Sequence, residues 1–480
     1  MKKGKILIGW GSRDVTPKGK VSLRGQFHIR ISDEVHDPLT TTALAIESED
    51  KSEQSIIVSL DAVGVADAVR DGCRKILKEK LSDFDSEKLF ISATHTHTAP
   101  EQPGVLLGPS RNLGADIMTL ETYGNLLIEK ISEAAVEAWG NRQLGALSWG
   151  KSYAVIGFNR RVSYFDGSTA MYGPTGKPEF SHIEGHENHG IDMLFTYDKK
   201  HKLTGMLVNV PCPSQCTEGA TFISADYWHE TREEIRKRHG NDIFILPQCS
   251  AAGDLSPRPL IKREADTRML KLKGYGDEYN MARRQDIADK ISAVIDEVMP
   301  LVAKDIRDEI EFAHQVLKLQ LPERVASEED LKTAKAEVAQ WQAKLDSLEG
   351  ADPTSFDYSV AKRRWHFNQK VINIYNEQQQ GNRAIMPPVE LHLLRIGDIA
   401  MASNRFEYYL DFGQRIQARS KALQTFVVQL AGEGSYLPTK RSLKGGSYGA
   451  YIASTPIGPE GGQLIVEESL AKINEMFDEN

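Results

Sequence analysis

The sequence predicts an α/β protein: a layered mixed sheet with flanking helices and an inserted helical hairpin. Up to about residue 320, short apolar runs alternate with stretches whose apolar residues recur every three or four positions. Such alternation of strands and helices is typical of layered α/β folds. The chain has 480 residues, 40% of them hydrophobic and 26% charged, so it is long enough to bury a large core.

Each element is predicted from its own pattern. Apolar runs bounded by turn residues predict strands at Ser55–Leu60, Leu89–Ala93, Met193–Tyr197, Leu203–Val210, Asp242–Pro247, Glu390–Ile396 and Thr425–Leu430. Amphipathic spacing predicts helices at Ala66–Lys80, Glu121–Trp139, Tyr227–His239, Asp286–Val298, Tyr408–Arg419 and Leu464–Phe477. Segments rich in Gly and Pro at 157–190 and 253–277 predict long functional loops.

Residues 326–380 differ from the rest of the chain. Apolar residues there follow the alternating spacing of three and four that marks a coiled-coil seam, at Leu331, Ala334, Val338, Trp341, Leu345 and Leu348. Gly350 and Pro353 break this helix, and a second helix is predicted at Tyr358–Tyr375. We therefore expect one domain over residues 1–480 with a helical hairpin inserted at 326–380. The hairpin covers the active site, mediates homo-oligomerisation or has a structural role only.

Charge and composition exclude several classes of function. A net charge of −8 argues against nucleic acid and anionic membranes as partners. No apolar run approaches the roughly 20 residues that a transmembrane helix needs. The basic start is followed by an apolar run too short for a signal peptide, so we expect a cytoplasmic protein unless a leader has been removed. Four cysteines do not make a disulfide framework.

The most informative segment is Thr94-His95-Thr96-His97, which follows the predicted strand Leu89–Ala93. Residues two apart in an extended chain lie on the same face, so both imidazoles are expected to point together beyond the strand's carboxyl end. Imidazole is the commonest metal ligand and a good general base. The pair therefore suggests a metal hydrolase, with two ordinary polar residues at a strand terminus as the alternative.

Three other segments contain residues that could take part in catalysis. In Gly253-Asp254-Leu255-Ser256-Pro257, Ser256 is a candidate nucleophile or hydrogen-bonding group beside a metal-bound water, or else part of a turn or cap. Glu407, expected in the first turn of a helix, is either a carboxylate aimed at a metal or a residue stabilised by the helix dipole. Tyr436 and Tyr448 lie in Gly-rich loops, where tyrosines usually pack and hydrogen-bond.

Together these segments resemble the neutral/alkaline, non-lysosomal ceramidase family, in its N-terminal catalytic domain. The segment Ala93–Pro100 matches the family's Gly-Thr-His-Thr-His-Ser-Gly-Pro, and 253–257 matches its nucleophile motif Gly-Asp-Val-Ser-Pro. Further matches are Asp14-Val15-Thr16-Pro17, Phe158-Asn159-Arg160, and the tyrosines Tyr436 and Tyr448 with the family's spacing of 12 residues. The resemblance covers nearly the whole chain outside the hairpin and lacks the family's C-terminal β-sandwich domain.

The resemblance implies a zinc-dependent hydrolase that cleaves an amide or ester bond of an N-acyl substrate. It assigns Zn²⁺ to His95, Glu407 and Tyr436, and it makes Ser256 the catalytic serine with His97 as an acid/base neighbour. Arg160 and Tyr448 would contact the substrate or stabilise the oxyanion. Zinc would lower the pKa of a bound water and polarise the carbonyl.

One segment departs from the family. Val210-Pro211-Cys212-Pro213-Ser214 stands where the family has Val-His-Pro-Thr-Ser with its second zinc histidine. A shift of one residue would make Cys212 the ligand, and thiolate binds zinc well. Alternatively His97 coordinates, or the metal differs or is absent. Further donors are available in the loop at His182, His186 and His189.

These observations predict a small-molecule, lipid or glycan substrate rather than nucleic acid. Besides the N-acyl hydrolase, two functions stay open: a glycan-active metal hydrolase using the same cleft, and a metal-free binding protein of the same fold. A homo-oligomer formed through the helical hairpin is a further expectation.

Overall fold

The computed structural model describes residues 3–104 and 113–478. Its strands are β1 (Gly4–Asp14), β2 (Thr40–Ser48), β3 (Gln54–Leu60), β4 (Leu89–Ala93), β5 (Gln143–Tyr153), β6 (Phe158–Asn159), β7 (Arg161–Tyr164), β8 (Thr169–Met171), β9 (Phe180–Ile183), β10 (Gly190–Asp198), β11 (Leu203–Val210), β12 (Phe244–Cys249), β13 (Leu255–Ser256), β14 (Glu309–Ile310), β15 (Phe312–Leu319), β16 (Val389–Ile396), β17 (Ile399–Ser403), β18 (Glu407–Tyr408), β19 (Gln424–Val428) and β20 (Tyr436–Leu437). Its helices are α1 (Asp67–Lys80), α2 (Leu120–Gly140), α3 (Tyr227–His239), α4 (Arg263–Leu272), α5 (Tyr279–Val302), α6 (Glu328–Asp346), α7 (Phe356–Gln380), α8 (Leu410–Arg419), α9 (Lys440–Gly445) and α10 (Pro459–Asp478).

The largest sheet is mixed. Its strand order is β12-β11-β10-β5-β1-β2-β3-β4, with β14 paired to β1. The β3–β4 and β11–β12 pairs are parallel, and the other pairs are antiparallel. The edge strands β12 and β4 contact each other. The Ser214 amide, after β11, donates to the Thr94 carbonyl, after β4, at 3.3 Å. Loops that follow different strands therefore meet at one place.

A second sheet, β15-β16-β17-β19, packs face to face on the first. The apolar cluster between them combines side chains from both sheets, among them Trp10, Phe90, Leu394, Ile396 and Phe426. Helices α1 and α2 cover the outer face of one half of the large sheet, and α3 and α5 cover the other half. Helices α8 and α10 cover the outer face of the second sheet. The layers run helix, sheet, sheet, helix, which confirms the predicted layered mixed-sheet class.

The hairpin consists of α6 and α7, which pack against each other. Helix α6 begins with a capping box in which Ser327 and Asp330 each bond the other's backbone amide. Helix α7 is longer than the predicted stretch and reaches the neighbourhood of Tyr448. Its Phe367 ring lies 6.0 Å from the Phe27 ring and 6.3 Å from the Tyr448 ring, centroid to centroid. The hairpin therefore lies beside the loops that carry the sequence-predicted site.

Several expectations were wrong in detail. The predicted loop 157–190 contains the short strands β6 to β9, and the predicted loop 253–277 contains α4. Glu407 is not in the first turn of a helix: it belongs to β18, and α8 begins only at Leu410. Strands of two to four residues give too little periodicity to detect. Strand β2 is buried almost throughout, so it shows no polar–apolar alternation.

Within the described ranges, every helix is too short or too polar to cross a bilayer.

A buried chain of hydrogen bonds joins the second sheet to α1. His314 Nε2 lies 2.9 Å from His392 Nδ1, and His392 Nε2 lies 2.9 Å from Glu390 Oε1. Arg74 pairs with the same carboxylate at 2.6 Å. Because Glu390 only accepts, His392 Nε2 is the donor in this bond. Burial lowers the pKa of both histidines, although Glu390 opposes this at His392.

This pair is expected to make the protein less stable in acid. The unfolded chain takes up protons as the pH falls below about 6.5, whereas the folded pair does not, so each histidine removes up to about 1.4 kcal/mol per pH unit. We expect His314→Gln to reduce the drop in urea midpoint between about pH 7 and about pH 5.5. The exposed His182 is the matched control, since His182→Gln should leave the drop unchanged. An unchanged drop in His314→Gln would contradict the assignment.

Candidate active site

His95 and His97 come together, but not for the reason that the sequence suggested. The strand ends at Ala93, and His95 adopts a left-handed backbone conformation with φ of 66°. This conformation, rare for a residue with a side chain, turns the two rings toward each other. Their Nε2 atoms lie 3.3 Å apart. Backbone geometry at His95, rather than strand alternation, builds the pair.

The orientation of His95 is fixed by the backbone of Val63. His95 Nδ1 lies 2.6 Å from the Val63 carbonyl oxygen, so Nδ1 carries the proton. In the neutral ring Nε2 then carries the lone pair, and it faces Glu407 Oε2 at 3.4 Å. Glu407 Oε2 is buried and accepts no hydrogen bond from the described residues. A proton or a cation between these two atoms is attracted by both of them, which agrees with the way His95 favours the charged form of Glu407.

Glu407 reaches His95 because β18 pairs with β20. Glu407 is in register with Tyr436, so the carboxylate and the phenol lie on neighbouring strands. Gly253 allows this arrangement, because a Cβ at that position would lie 2.3 Å from the Glu407 carbonyl oxygen. Burial opposes ionisation of Glu407, but His95 and Arg160 outweigh it and lower its pKa. Glu407 is therefore a carboxylate. Burial raises the pKa of Tyr436 well above its usual value, which keeps the phenol protonated.

Arg160 joins these residues to the loop after β12. Its guanidinium donates to the Gly253 carbonyl at 2.8 Å and lies 3.7 Å from Glu407 Oε2. It also donates to the Tyr172 hydroxyl at 3.0 Å. The Tyr172 hydroxyl also accepts from Gln215 Nε2 at 2.6 Å. Tyr172 was not identified from the sequence as a candidate site residue. No sequence motif marks it. Its positive φ of 56° becomes visible only in the structure.

Ser256 is fully buried in β13, where it pairs with Phe158 of β6. Its Oγ accepts from the Arg258 amide at 3.3 Å. The Ser256 hydroxyl interacts with the Tyr172 hydroxyl. Tyr172 in turn accepts from Arg160, so it connects Ser256 to Arg160. The structure thus brings Ser256 to the same residue network as His95 and Glu407, with Tyr172 and Arg160 between them.

Tyr448 is held by the buried Arg161 on the other side of the site. Arg161 NH1 donates to the Tyr448 carbonyl at 3.2 Å, while its Nε pairs with Glu184 at 2.9 Å. The Tyr448 ring packs edge-on against Tyr436 with centroids 5.4 Å apart. Burial and the nearby Glu407 raise the pKa of Tyr448 to about 12. The phenol therefore stays protonated and can act as a hydrogen-bond donor.

Cys212 occupies a different environment. Its side chain is fully buried in the apolar cluster between the large sheet and helices α3 and α5. Its Sγ lies 3.6 Å from the Pro213 carbonyl oxygen. Burial and Cys249 raise the pKa of the thiol well above its usual value. The described contacts do not join Cys212 to His95 or Glu407. The loop residues His182 and His186 are exposed, and His189 lies near Glu187.

The donors near His95 fit a metal ion only in part. A buried carboxylate oxygen without a hydrogen bond and the imidazole Nε2 of His95 are suitable ligands. In the part of the chain that the structure describes, however, no group of three or more His, Cys, Asp or Glu side chains could hold a metal ion. If a metal ion binds here, a third protein ligand would have to come from the Tyr436 phenol or from movement of His97 toward the carboxylate.

The fold is that of solved ceramidase structures. The structure is similar to that of the neutral ceramidase from Pseudomonas aeruginosa, with a TM-score of 0.69 and 18% sequence identity over 99% of this chain and 75% of that chain. It is equally similar to a ceramidase complexed with C2, with a TM-score of 0.69 and 16% identity over the same shares of both chains. No protein-family model and no curated protein matches the sequence. At this identity the similarity shows the fold alone.

Proposed function

We propose that this protein is a metal-dependent hydrolase of the ceramidase type, which cleaves an amide or ester bond of an N-acyl substrate. The observation that carries the proposal is the arrangement at His95. Its Nδ1 donates to the Val63 carbonyl, and its Nε2 faces the buried Glu407 carboxylate at 3.4 Å. A hydrogen bond from the remote nitrogen to a carbonyl is the usual support of a metal-bound histidine.

His95 and Glu407, with Tyr436 beside them, would hold the ion, and zinc suits these nitrogen and oxygen donors. When bound, zinc supplies a water of lowered pKa and polarises a carbonyl group. Stabilisation of the oxyanion would depend on the protein's own residues. Arg160 has a buried Nε without a hydrogen-bond partner in the described part of the chain, and it can donate to a developing oxyanion. Tyr448 can add a second hydrogen bond from its phenol.

His97 and Ser256 have supporting roles in this proposal. His97 Nε2 lies 3.3 Å from His95 Nε2, close enough to exchange a proton with a group held there. Ser256, whose hydroxyl interacts with that of Tyr172, would attack the carbonyl or hold the attacking water. The leaving amine must receive a proton in either case.

Metal content and Ser256→Ala test the proposal together. We expect about one zinc per purified chain, and we expect hydrolysis of some member of a panel of N-acyl lipids, N-acyl amino acids and glycan fragments. Ser256→Ala should keep the metal and lose about 10²- to 10³-fold in turnover. Ser168→Ala, in an exposed loop, is the control.

Three other results would overturn or change part of the proposed function. A chain without bound metal would overturn the zinc mechanism and favour a binding protein of the same fold. Cleavage of glycan fragments alone would replace the N-acyl substrate by a glycan. Unchanged turnover in Ser256→Ala would remove the serine from the mechanism.

A further inference from the structure

Arg24 lies at the wall of a small cavity beside His95 and Glu407. The cavity has a volume of about 10 Å³, and its lining includes Val63, Gly64 and Glu433 as well as these three residues. A space of this size holds about one water molecule or one small polar group. The Arg24 guanidinium is therefore adjacent to the residues that we propose to act on the substrate.

The guanidinium of Arg24 lacks a partner in the described ranges. It makes no hydrogen bond and no ion pair within 4.0 Å to any residue there. The two neighbouring arginines, by contrast, have partners. Arg30 donates to the carbonyl oxygens of Ala220 and His97, and Arg363 pairs with Glu101 at 2.8 Å. Taking a charge out of water without a partner is unfavourable. An unpaired arginine at a cavity wall is thus suited to a ligand.

The backbone next to Arg24 is pressed against the histidine pair. Gly25 has a φ of 110°, and a Cβ there would lie 2.5 Å from His97 Nδ1. On the other side, a Cβ at Gly64 would lie 3.8 Å from Arg24 NH1. These close approaches hold Arg24 next to the site.

The carboxylates around Arg24 do not neutralise it. Glu433, Glu407 and Glu101 are the acidic groups that act on it, and none lies within ion-pair distance. Burial and Asp67 raise the pKa of Glu433, against the opposing effect of Arg24 and Arg405. Glu407 is already engaged by His95 and Arg160, and Glu101 by Arg363. The cavity wall at Arg24 therefore carries an available positive charge.

We propose that Arg24 binds a carboxylate of the substrate, so that the substrate is an amide that carries a carboxylate near the scissile bond, as in N-acyl amino acids. This inference rests on the proposed function, whose substrate class it narrows. Arginine matches the planar carboxylate with two parallel hydrogen bonds.

The test compares substrates that differ only in this charge. N-Hexanoylglycine and N-hexanoylglycinamide share their shape, whereas only the first carries a carboxylate. We expect the wild-type protein to bind and cleave the acid better than the amide by about 10- to 100-fold, the range for a hydrogen bond to a charged group. Arg24→Gln should lose this preference, and Arg24→Lys should keep part of it.

A second substrate pair locates the carboxylate. N-Hexylsuccinamic acid and its primary amide carry the same difference on the acyl side of the scissile bond. A preference for this acid, lost in Arg24→Gln, would place the bound carboxylate on the acyl side instead of the amine side. Arg238→Gln on α3, where Arg238 pairs with Asp296 at 2.8 Å, is the charge-matched control and should change neither preference.

Calorimetric dissociation constants keep this proposal separate from the hydrolase proposal. A binding preference that depends on Arg24, without cleavage, would support the carboxylate site and overturn the hydrolase function. Equal binding of acid and amide, a preference that survives in Arg24→Gln, or no binding of either pair would overturn the carboxylate site. The melting temperature of Arg24→Gln should match that of the wild type, which excludes unfolding as the cause of any loss.

Discussion

His95→Ala is expected to remove both the bound metal and the hydrolytic activity. The substitution deletes the one imidazole whose Nδ1 is fixed by a backbone carbonyl and whose Nε2 faces Glu407. Because the proposed chemistry depends on the metal for polarisation, we expect turnover to fall by at least about a thousandfold. Elemental analysis and turnover, measured on the same preparation, check the two losses together.

The controls separate the possible ligands from one another. His182→Ala removes an exposed imidazole and should change neither quantity. Cys212→Ser should keep the metal if the buried thiol is not a ligand, whereas His97→Ala should lose it if His97 moves in as the third donor. Metal retained at full stoichiometry in His95→Ala would show that the ion binds elsewhere and would contradict the proposed site.

Of the variants described, Arg161→Met is expected to lower the free energy of unfolding most. Arg161 is fully buried, pairs with Glu184 and donates to the carbonyl oxygens of Gly446 and Tyr448. Removing it leaves the buried Glu184 carboxylate with the Ser442 hydroxyl and a long contact to Arg441 at 3.9 Å. Breaking a buried ion pair by removing one partner typically costs about 3–5 kcal/mol in free energy of unfolding. The segment that carries Tyr448 also loses its anchor. Chemical unfolding measures the loss, and turnover at a temperature where the variant stays folded measures the effect on Tyr448.

Two further variants distinguish a charge effect from a packing effect. The double variant Arg161→Met/Glu184→Met removes both charges and should recover much of the lost stability. Arg13→Met removes an arginine from a partly exposed pair with Glu133 and should cost less than about 1 kcal/mol. A loss in Arg161→Met no larger than that in Arg13→Met would contradict a structural role for the buried pair.

The sequence predicted the elements whose patterns are local and strong. Strands Leu89–Ala93 and Leu203–Val210 and helix Tyr227–His239 lie where their apolar spacing placed them. The two strands are short apolar runs that are buried almost throughout, and the helix has apolar residues on one face. The short strands around Glu407 and Ser256 were not predicted, because two residues have no period and their pairing partners lie far away in the chain.

The candidate site likewise divides into residues that the sequence singled out and contacts that only the structure showed. The sequence by itself singled out His95, His97, Arg160, Ser256, Glu407, Tyr436 and Tyr448 as candidates, through their position after strands and their resemblance to one family. Only the tertiary structure decided that Glu407 faces His95, that Tyr172 lies between Arg160 and Ser256, and that Cys212 packs in a core cluster. Only the structure also revealed that the Arg24 guanidinium has no partner among residues 3–104 and 113–478. The physical reason is that local sequence sets where a strand ends, whereas long-range packing sets which loop ends meet and which charges stay unpaired.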